Sequence, residues 1–206
     1  MICLIKGQCA FMNDVYVMGG KINNSPKNDL DHLYDYRIDS CYSFDTKELK
    51  WKGVSNIPGR RSLAASAVFE GNIVVCGGTN PALDRMNSVE SYDVFSNAWT
   101  PMPNMIESRR HHNLVCVKSK LFVIRGFNSE SCELYDGACK KFTLLKSPTF
   151  TRHNLSAVLI RNRIFLFQRR SKCILSYNVD EEKWSEESFE PLQDSCSYSC
   201  AKVPIY

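Results

Sequence analysis

The residues of this sequence that could bind a metal or attack a substrate are four histidines and ten cysteines. The histidines, His32, His111, His112 and His153, stand at no zinc-ligand spacing from the cysteines, and no Cys-x-x-Cys pair occurs. His111 and His153 occupy equivalent places in a repeat and could bind copper, but copper sites need further ligands. Neither a glycine-rich phosphate loop nor a nucleophile elbow occurs. The sequence therefore predicts no metal, no cofactor and no enzyme activity.

The cysteines favour a reduced, cytoplasmic protein. Cys76 and Cys116 lie inside apolar runs, where a free thiol acts as a small buried residue. Lys6 and Gln8 interrupt the apolar amino-terminal run, so we expect no signal peptide, and no run of about 18 apolar residues predicts a membrane helix. The net charge of +4 is small and its basic residues are scattered, so we expect neither nucleic acid nor a membrane as partner.

Pairs of aromatic residues recur along the chain at an interval of seven. The pairs are Phe44 with Trp51, Tyr92 with Trp99, Tyr135 with Phe142, and Tyr177 with Trp184. The residue after each first aromatic is Asp45, Asp93, Asp136 or Asn178. The interval places both rings of a pair on one face of a hairpin, where we predict that they pack between sheets. The following carboxylate or amide begins the hairpin turn by accepting hydrogen bonds from backbone N–H groups.

Two further landmarks precede each aromatic pair. The first is a β-branched and apolar run that ends at glycine, at positions Gly19, Gly20, Gly77, Gly78 and Gly126. These glycines allow a sharp turn and a close approach of two backbones. The second landmark is an arginine sixteen residues before the first glycine position, at Arg61, Arg110 and Arg152. An arginine that recurs once per repeat is interpreted as a structural hydrogen-bond donor.

Successive copies are 58, 49 and 42 residues apart, and each contains four short strands; this predicts an all-β fold, a β-propeller with four blades of four antiparallel strands. The predicted repeats are residues 3–57, 58–106, 107–149 and 150–192. One extra carboxyl-terminal strand is predicted at about 194–204. The interval, the glycines and the arginines together predict one propeller domain over residues 1–206.

The double glycine, the Tyr-Asp pair, the tryptophan seven residues later and the arginine resemble the Kelch repeat. The best copy resembles repeats of the BTB-Kelch proteins, although no BTB or BACK segment is recognised and the family has six repeats. The resemblance implies a protein-interaction module, either a substrate receptor of cullin-RING ubiquitin ligases or an actin-associated scaffold. Contact with a cullin would require a BTB domain in the full-length product. A galactose-oxidase-like enzyme is the alternative that the propeller fold leaves open.

The loops that join the blades supply the candidate binding residues. Arg60, Arg109 and His111 lie on connections between blades and are predicted to be surface anchors for a protein partner. The long segment 21–43 could be a recognition loop; its candidate contact residues are Tyr34, Tyr36, Asp31 and Asp35. Its aspartates fit a calcium site poorly, and a tolerated surface insertion is the other interpretation.

Four blades with the curvature of a six-bladed ring leave an opening. We therefore expect the chain to begin partway through a longer product, or through a degenerate copy of one. We also expect it to expose the faces of its end blades and to self-associate. We also expect Trp99 to be largely buried between two blades.

Overall fold

The structure is a computed structural model that describes residues 8–21, 37–146, 155–168 and 173–188. These residues form sixteen β-strands in four sheets of four strands. Blade 1 contains β1 (Gln8–Phe11), β2 (Asp14–Lys21), β3 (Arg37–Asp45) and β4 (Lys50–Val54). Blade 2 contains β5 (Ala65–Phe69), β6 (Asn72–Cys76), β7 (Val89–Asp93) and β8 (Ala98–Met102).

Blade 3 contains β9 (Asn113–Val117), β10 (Lys120–Gly126), β11 (Ser129–Asp136) and β12 (Lys141–Leu145). Blade 4 contains β13 (Leu155–Ile160), β14 (Arg163–Gln168), β15 (Cys173–Asn178) and β16 (Lys183–Ser188). In every blade each strand pairs antiparallel with the next strand in sequence. The prediction of an all-β fold with four four-stranded blades is confirmed. The predicted strand at 194–204 lies outside the described residues.

The blades stand side by side through their first strands. β1 contacts β5, β5 contacts β9, and β9 contacts β13. Among the described strands no comparable contact joins β13 to β1. The described part of the chain is therefore an arc of blades, and its two ends do not meet through their first strands.

The seven-residue interval has the structural meaning that the sequence predicts. The two aromatics of each pair are direct cross-strand partners on the third and fourth strands, as Tyr92 and Trp99 show. Their ring centroids are 5.0 Å apart, and the pair Tyr177 and Trp184 has 4.9 Å. We call the side of a blade that bears this pair its aromatic face and the opposite side its receiving face.

The hydrophobic core lies between blades, where an aromatic face packs on the receiving face of the preceding blade. Tyr92 of blade 2 contacts Tyr16 of blade 1, with ring centroids 6.3 Å apart. The same junction recurs twice, at Tyr135 on Phe69 and at Tyr177 on Phe122. Each junction is surrounded by buried aliphatic side chains from both blades. Consecutive blades are therefore joined by one repeated kind of contact.

The tryptophans also connect blades through their indole groups. Trp99 Nε1 donates to the Ser55 carbonyl of blade 1 at 2.8 Å, and Trp184 Nε1 donates to the Lys146 carbonyl of blade 3 at 2.7 Å. Trp99 is an inter-blade residue as predicted, but it is only partly buried because its ring reaches the rim of the junction.

The residue after the first aromatic holds the turn between the third and fourth strands. Asp93 Oδ1 accepts from the N–H of Phe95 at 2.8 Å, and Asp93 Oδ2 accepts from the Ser96 hydroxyl at 2.8 Å. Asp45, Asp136 and Asn178 accept from backbone N–H groups in the same way. These hydrogen bonds, with the Ser96 hydroxyl first, lower the pKa of Asp93 below its ordinary value.

The first glycine of each pair needs to be glycine for two reasons. Gly77 has a φ of +59°, which L side chains rarely adopt, and a Cβ there would stand 2.6 Å from the Arg109 carbonyl oxygen of the next blade. Gly19 has the same arrangement, 2.8 Å from the Arg61 carbonyl. The backbones of adjacent blades therefore meet at the glycines.

Candidate interaction site on the loop face

The alternating strand directions place the blade-to-blade connections and the loops between second and third strands at one end of the arc. We call this end the loop face. The short turns between first and second strands and between third and fourth strands lie at the opposite end. The candidate binding residues that the structure describes, Arg60, Arg109 and His111, belong to the loop face, so its geometry decides which of them reach a partner.

Arg61 anchors the connection that enters blade 2. Its guanidinium is buried and binds both Glu90 carboxylate oxygens, at 2.8 and 2.7 Å. It also donates to the carbonyl of Gly77, sixteen residues along the chain, at 3.4 Å. Arg61 is thus the structural arginine that the repeat predicts, and its charge is compensated by a carboxylate of the same blade.

Arg109, and not Arg110, is its counterpart in blade 3. Arg109 is 0% exposed, and its Nη2 contacts Glu133 Oε1 at 2.8 Å. Its Nη1 donates to the Arg125 carbonyl at 3.0 Å, again sixteen residues along the chain. Ser129 and Ser131 accept further hydrogen bonds from it. The prediction that Arg109 lies on the surface is wrong, because this residue neutralises a buried carboxylate.

Aligning Gly126, the single glycine at the end of β10 in blade 3, with Gly77 predicts the wrong arginine. Arg125 has a φ of 52° and takes the place of Gly77, whose φ is 59°. Gly126, with a φ of 152°, therefore corresponds to Gly78, the second glycine of the pair. Moving the alignment by one residue moves the structural arginine from Arg110 to Arg109.

A signal for the correct alignment is present in the sequence. A glutamate stands two residues before the tyrosine in both blades with a buried arginine, Glu90 before Tyr92 and Glu133 before Tyr135. A buried arginine requires such a carboxylate. The glutamates identify the blades that contain an ion pair, although they do not by themselves choose between adjacent arginines.

Arg110 is partly buried and packs on an exposed phenylalanine ring. Its guanidinium carbon lies 4.8 Å from the centre of the Phe127 ring, and Phe127 is 39% exposed. Arg85 approaches from the loop of blade 2, where its Nη1 donates to the Phe127 carbonyl at 3.3 Å. His111 is exposed beside Arg110, and Leu83 is 65% exposed two residues before Arg85. We call these five residues the arginine–phenylalanine patch.

His111 lies in the left-handed region, with a φ of 54°, and its N–H donates to the Leu63 carbonyl at 3.1 Å. Leu63 occupies the equivalent place in the preceding connection and has a φ of 61°. Histidine adopts this region more readily than most residues. The exposed His111 ring is therefore a product of the repeat geometry as well as a candidate contact.

The remaining predicted site residues divide into two groups. Arg60 is exposed on the connection that enters blade 2, so its role as a binding residue stays a prediction. The other predicted binding residues, Tyr34, Tyr36, Asp31 and Asp35, lie outside the described residues, and so do Arg152 and His153. The loop that sequence reasoning missed is that of blade 2, which supplies Leu83 and Arg85.

The charged groups around the patch are held in defined states. Burial raises the pKa of Glu107, but hydrogen bonds from Ser131 and Ser129 and the charge of Arg109 outweigh it, so the pKa lies below its ordinary value. Burial lowers the pKa of the Arg125 guanidinium. Glu107 is thus an ionised carboxylate at the edge of a basic patch.

No group of three or more His, Cys, Asp or Glu side chains in the described residues could hold a metal ion. Cys76 lies 3.2 Å from His112 Nε2, but burial raises its thiol pKa, which opposes formation of a nucleophilic thiolate. Burial likewise raises the pKa of Cys9 to about 12. In the part of the chain that is described, no helix is long and apolar enough to cross a membrane.

Comparison with known proteins finds a Kelch motif and Kelch-like relatives. A Kelch motif matches residues 60–106, which contain blade 2. Kelch-like protein 35 of Mus musculus is 24% identical over 204 residues, which are 96% of this chain and 33% of that protein. The chain has a Kelch-type β-propeller fold and is similar to Kelch-like proteins. Kelch-like protein 35 of Homo sapiens is 33% identical over 121 residues, 57% of the Kelch-repeat chain and 18% of that relative.

A solved structure agrees on the fold. The structure of YjhT superposes with a TM-score of 0.72 at 16% identity, covering 91% of the Kelch-repeat chain and 66% of YjhT. At this identity the likeness concerns the fold alone. The Kelch-repeat chain spans a third or less of the length of the two Kelch-like relatives. The similarity to Kelch-like proteins supports a protein-interaction module in general.

Proposed function

We propose that this chain binds a partner protein in the cytoplasm through its loop face and that the arginine–phenylalanine patch is the centre of the contact. The observation behind this proposal is the exposed Phe127, whose ring lies 4.8 Å from the Arg110 guanidinium and whose main-chain carbonyl accepts a hydrogen bond from Arg85 at 3.3 Å. Arginine and aromatic side chains are enriched at the energetic centres of protein interfaces.

The patch is prepared for binding because its backbone is already fixed. The Phe127 N–H donates to the Arg110 carbonyl at 2.9 Å, so the two residues are linked through backbone and side chain together. Arg109, buried beside them, fixes the connection from inside. Side chains that are ordered before association lose less conformational entropy when a partner binds.

The resemblance to BTB-Kelch proteins favours a finer role, recognition of a substrate for a cullin-RING ubiquitin ligase, with the cullin itself contacted through a BTB domain of a longer product. The alternative is an actin-associated scaffold. In either role the propeller acts by binding and performs no chemical step.

The first experiment compares matched surface variants of the tagged full chain expressed in cells. Phe127→Ala combined with Arg85→Ala removes the centre of the patch. Phe95→Ala removes an equally large ring that is 78% exposed on the opposite, turn end of blade 2. We expect at least one protein to be recovered with the wild type and with Phe95→Ala but not with the patch variant. The proposal is wrong if no recovered protein distinguishes the two variants.

A second measurement uses one such protein in purified form. Titration with the wild-type chain and with Phe127→Ala should show at least a tenfold loss of affinity, which corresponds to about 1.4 kcal/mol. The same variants in co-sedimentation with filamentous actin test the alternative: binding to actin that depends on Phe127 would replace the ligase-substrate role with the scaffold role.

A further inference from the structure

The fourth strand of each blade is the outer edge of its sheet, because it pairs only with the third strand. Such an edge presents backbone N–H and C=O groups with which another extended chain can pair, and proteins protect it with proline, charge or short strands. The residue two after the second aromatic differs between the edges: it is Gly53, Pro101, Leu144 and Glu186 in blades 1 to 4. Glycine, proline and glutamate all disfavour strand pairing. Among the described blades, only blade 3 has a large aliphatic side chain there.

The backbone at Leu144 directs its hydrogen-bonding groups away from the sheet. Leu144 pairs with Glu133 in the same register in which Pro101 pairs with Glu90 in blade 2. Proline has no N–H, so the pairing of the third and fourth strands does not use an N–H at this position. In an antiparallel ladder, residues that bond to the partner strand alternate with residues that point away from it. The N–H and C=O of Leu144, and those of Phe142 two residues earlier, therefore face outward from β12.

An apolar surface adjoins this edge. Leu144 is 60% exposed, and Ile106, on the connection between blades 2 and 3, is 51% exposed. Both residues adjoin Glu133: Leu144 is its direct cross-strand partner, and the Ile106 N–H donates to Glu133 Oε2 at 2.7 Å. Glu133 is itself buried and ion-paired with Arg109 at 2.8 Å, so the backbone that carries Ile106 is fixed. We call β12 together with Ile106 the blade 3 edge.

Exposed lysines stand at both ends of β12. Lys140 and Lys141 lie at its start, and Lys146 directly follows its last residue. None of the ion pairs found among the described residues uses these three lysines. Their like charges oppose the pairing of β12 with β12 of a second copy, whereas they attract carboxylates. The blade 3 edge is therefore suited to an extended segment that has acidic residues at both ends.

The positions of these groups define the sequence that would fit. Side chains alternate between the two faces of a strand, so Lys146 lies on the same face as Leu144, and Lys141 lies on the opposite face. A segment that runs beside β12 therefore needs one acidic residue two positions from its apolar residue and another three positions away on the other side. From Lys141 to Lys146 an extended strand spans about 17 Å, so about six residues are enough.

We propose that the blade 3 edge binds an extended segment of a partner protein. The segment pairs with β12 as an added strand, places an apolar side chain on Leu144 and Ile106, and places carboxylates at Lys141 and Lys146. In this mode of recognition the backbone hydrogen bonds supply affinity and the side chains supply specificity. The proposal does not rest on the partner-binding role of the loop face, because β12 is an outer strand and contains none of the patch residues.

The first test uses a library of random twelve-residue peptides displayed on phage. The library is depleted on the full chain carrying Leu144→Pro and is then selected on the wild type. Leu144→Pro removes the outward N–H and the aliphatic side chain, and Pro101 shows that the repeat accepts proline at this position. We expect the recovered peptides to share an apolar residue with one acidic residue two positions away and another three positions away on the other side.

Fluorescence anisotropy of one recovered peptide then measures the effect of each variant. Leu144→Pro should weaken binding by at least about tenfold, since a hydrogen bond and an apolar contact are lost together. Leu144→Gly and Leu144→Glu copy the residues of blades 1 and 4 and should also weaken binding, so the test does not depend on the folding of one variant. Phe95→Ala, at an exposed turn of blade 2, should leave the affinity unchanged.

A charge exchange tests the predicted register. Lys146→Glu should weaken binding, and a lysine in place of the acidic residue two positions from the peptide's apolar residue should restore it. The same peptide should not restore binding to Lys141→Glu. Three results would overturn the proposal: a selection that yields no peptide with the acidic pattern, peptides that bind Leu144→Pro as tightly as the wild type, or self-association of the wild type that Leu144→Pro abolishes. The last result would assign the blade 3 edge to a second copy of the chain.

Discussion

The assignment of the structural arginine in blade 3 can be tested by changing two adjacent residues. Arg109→Ala removes a guanidinium that is 0% exposed, and Arg110→Ala removes one that stacks on Phe127 at the surface. The residues share a peptide bond and a side-chain type. Their different partners are therefore the cause of any difference in the free energy of unfolding.

The magnitude follows from what each truncation leaves behind. Without Arg109, the Glu133 carboxylate stays fully buried with only the N–H groups of Ile106 and Glu107, at 2.7 and 3.0 Å. Leaving a buried charge without its partner costs about 3 to 5 kcal/mol. Arg110→Ala removes one partly exposed cation–π contact, which contributes about 0.5 to 1 kcal/mol. We expect the Arg109 variant to lose at least three times as much stability.

Urea and thermal unfolding, followed by tryptophan fluorescence and by circular dichroism, measure the difference. For a chain of this length, a loss of 3 to 5 kcal/mol corresponds to a fall in Tm of about 6 to 20 °C. Arg109→Lys keeps the charge without the two-pronged guanidinium and should lie between the wild type and Arg109→Ala. If Glu133→Gln is added to Arg109→Ala, part of the loss should be recovered, because no buried charge then remains.

Two outcomes would refute the assignment. The first is an Arg110→Ala variant that is as unstable as Arg109→Ala, which would return the structural role to Arg110. The second is an Arg109→Ala variant within about 1 kcal/mol of the wild type, which would mean that the buried Glu133 carboxylate does not depend on Arg109.

Trp99→Phe, which loses the 2.8 Å hydrogen bond to Ser55, should lower the free energy of unfolding by about 0.5 to 1.5 kcal/mol. Trp51→Phe, at a ring that is 59% exposed, should change it by less than about 0.5 kcal/mol, and equal losses for the two variants would contradict the inter-blade role of Trp99. Asp93 has a pKa lowered from 3.8, so its contribution to stability is present above pH 3.8 and is lost as the pH falls through the lowered value. Asp93→Asn keeps an acceptor for the turn, as Asn178 does in blade 4. Because the amide does not titrate, the free energy of unfolding should fall less steeply with decreasing pH below 3.8. An unchanged pH dependence would contradict the role of Asp93 in the turn.

The aromatic pairs could be predicted from sequence because their geometry is local. A hairpin with a short turn fixes its register, so an interval of seven residues made Tyr92 and Trp99 direct partners regardless of the rest of the chain. The turn aspartates are local in the same sense, since each binds N–H groups two or three residues away. Repetition in four copies then indicated that one fold unit recurs.

The arginine alignment could not be fixed in the same way, because it depends on contacts between distant segments. Blade 3 has a single glycine, Gly126, where blade 2 has the pair Gly77 and Gly78. The first position of the pair is occupied in blade 3 by Arg125, which has a positive φ. Only the pairing of Arg109 with Glu133, 24 residues away, decides which arginine points inward. The patch around Phe127 was missed for the same reason, since Arg85 reaches it across 42 residues.

The buried arginine and the exposed patch are two parts of one arrangement. The Gly78 N–H of blade 2 donates to the Arg109 carbonyl at 2.8 Å, while the Arg109 side chain binds within blade 3, so this residue fastens the connection to both blades. Arg61 does the same between blades 1 and 2 through the Gly20 N–H. Arg110, which is partly buried, and His111, which is exposed, directly follow Arg109 on this fixed backbone. Because the inward arginine holds the connection, neighbouring outward side chains can vary in type without loss of the fold, and a repeat built for stacking blades can present different binding surfaces.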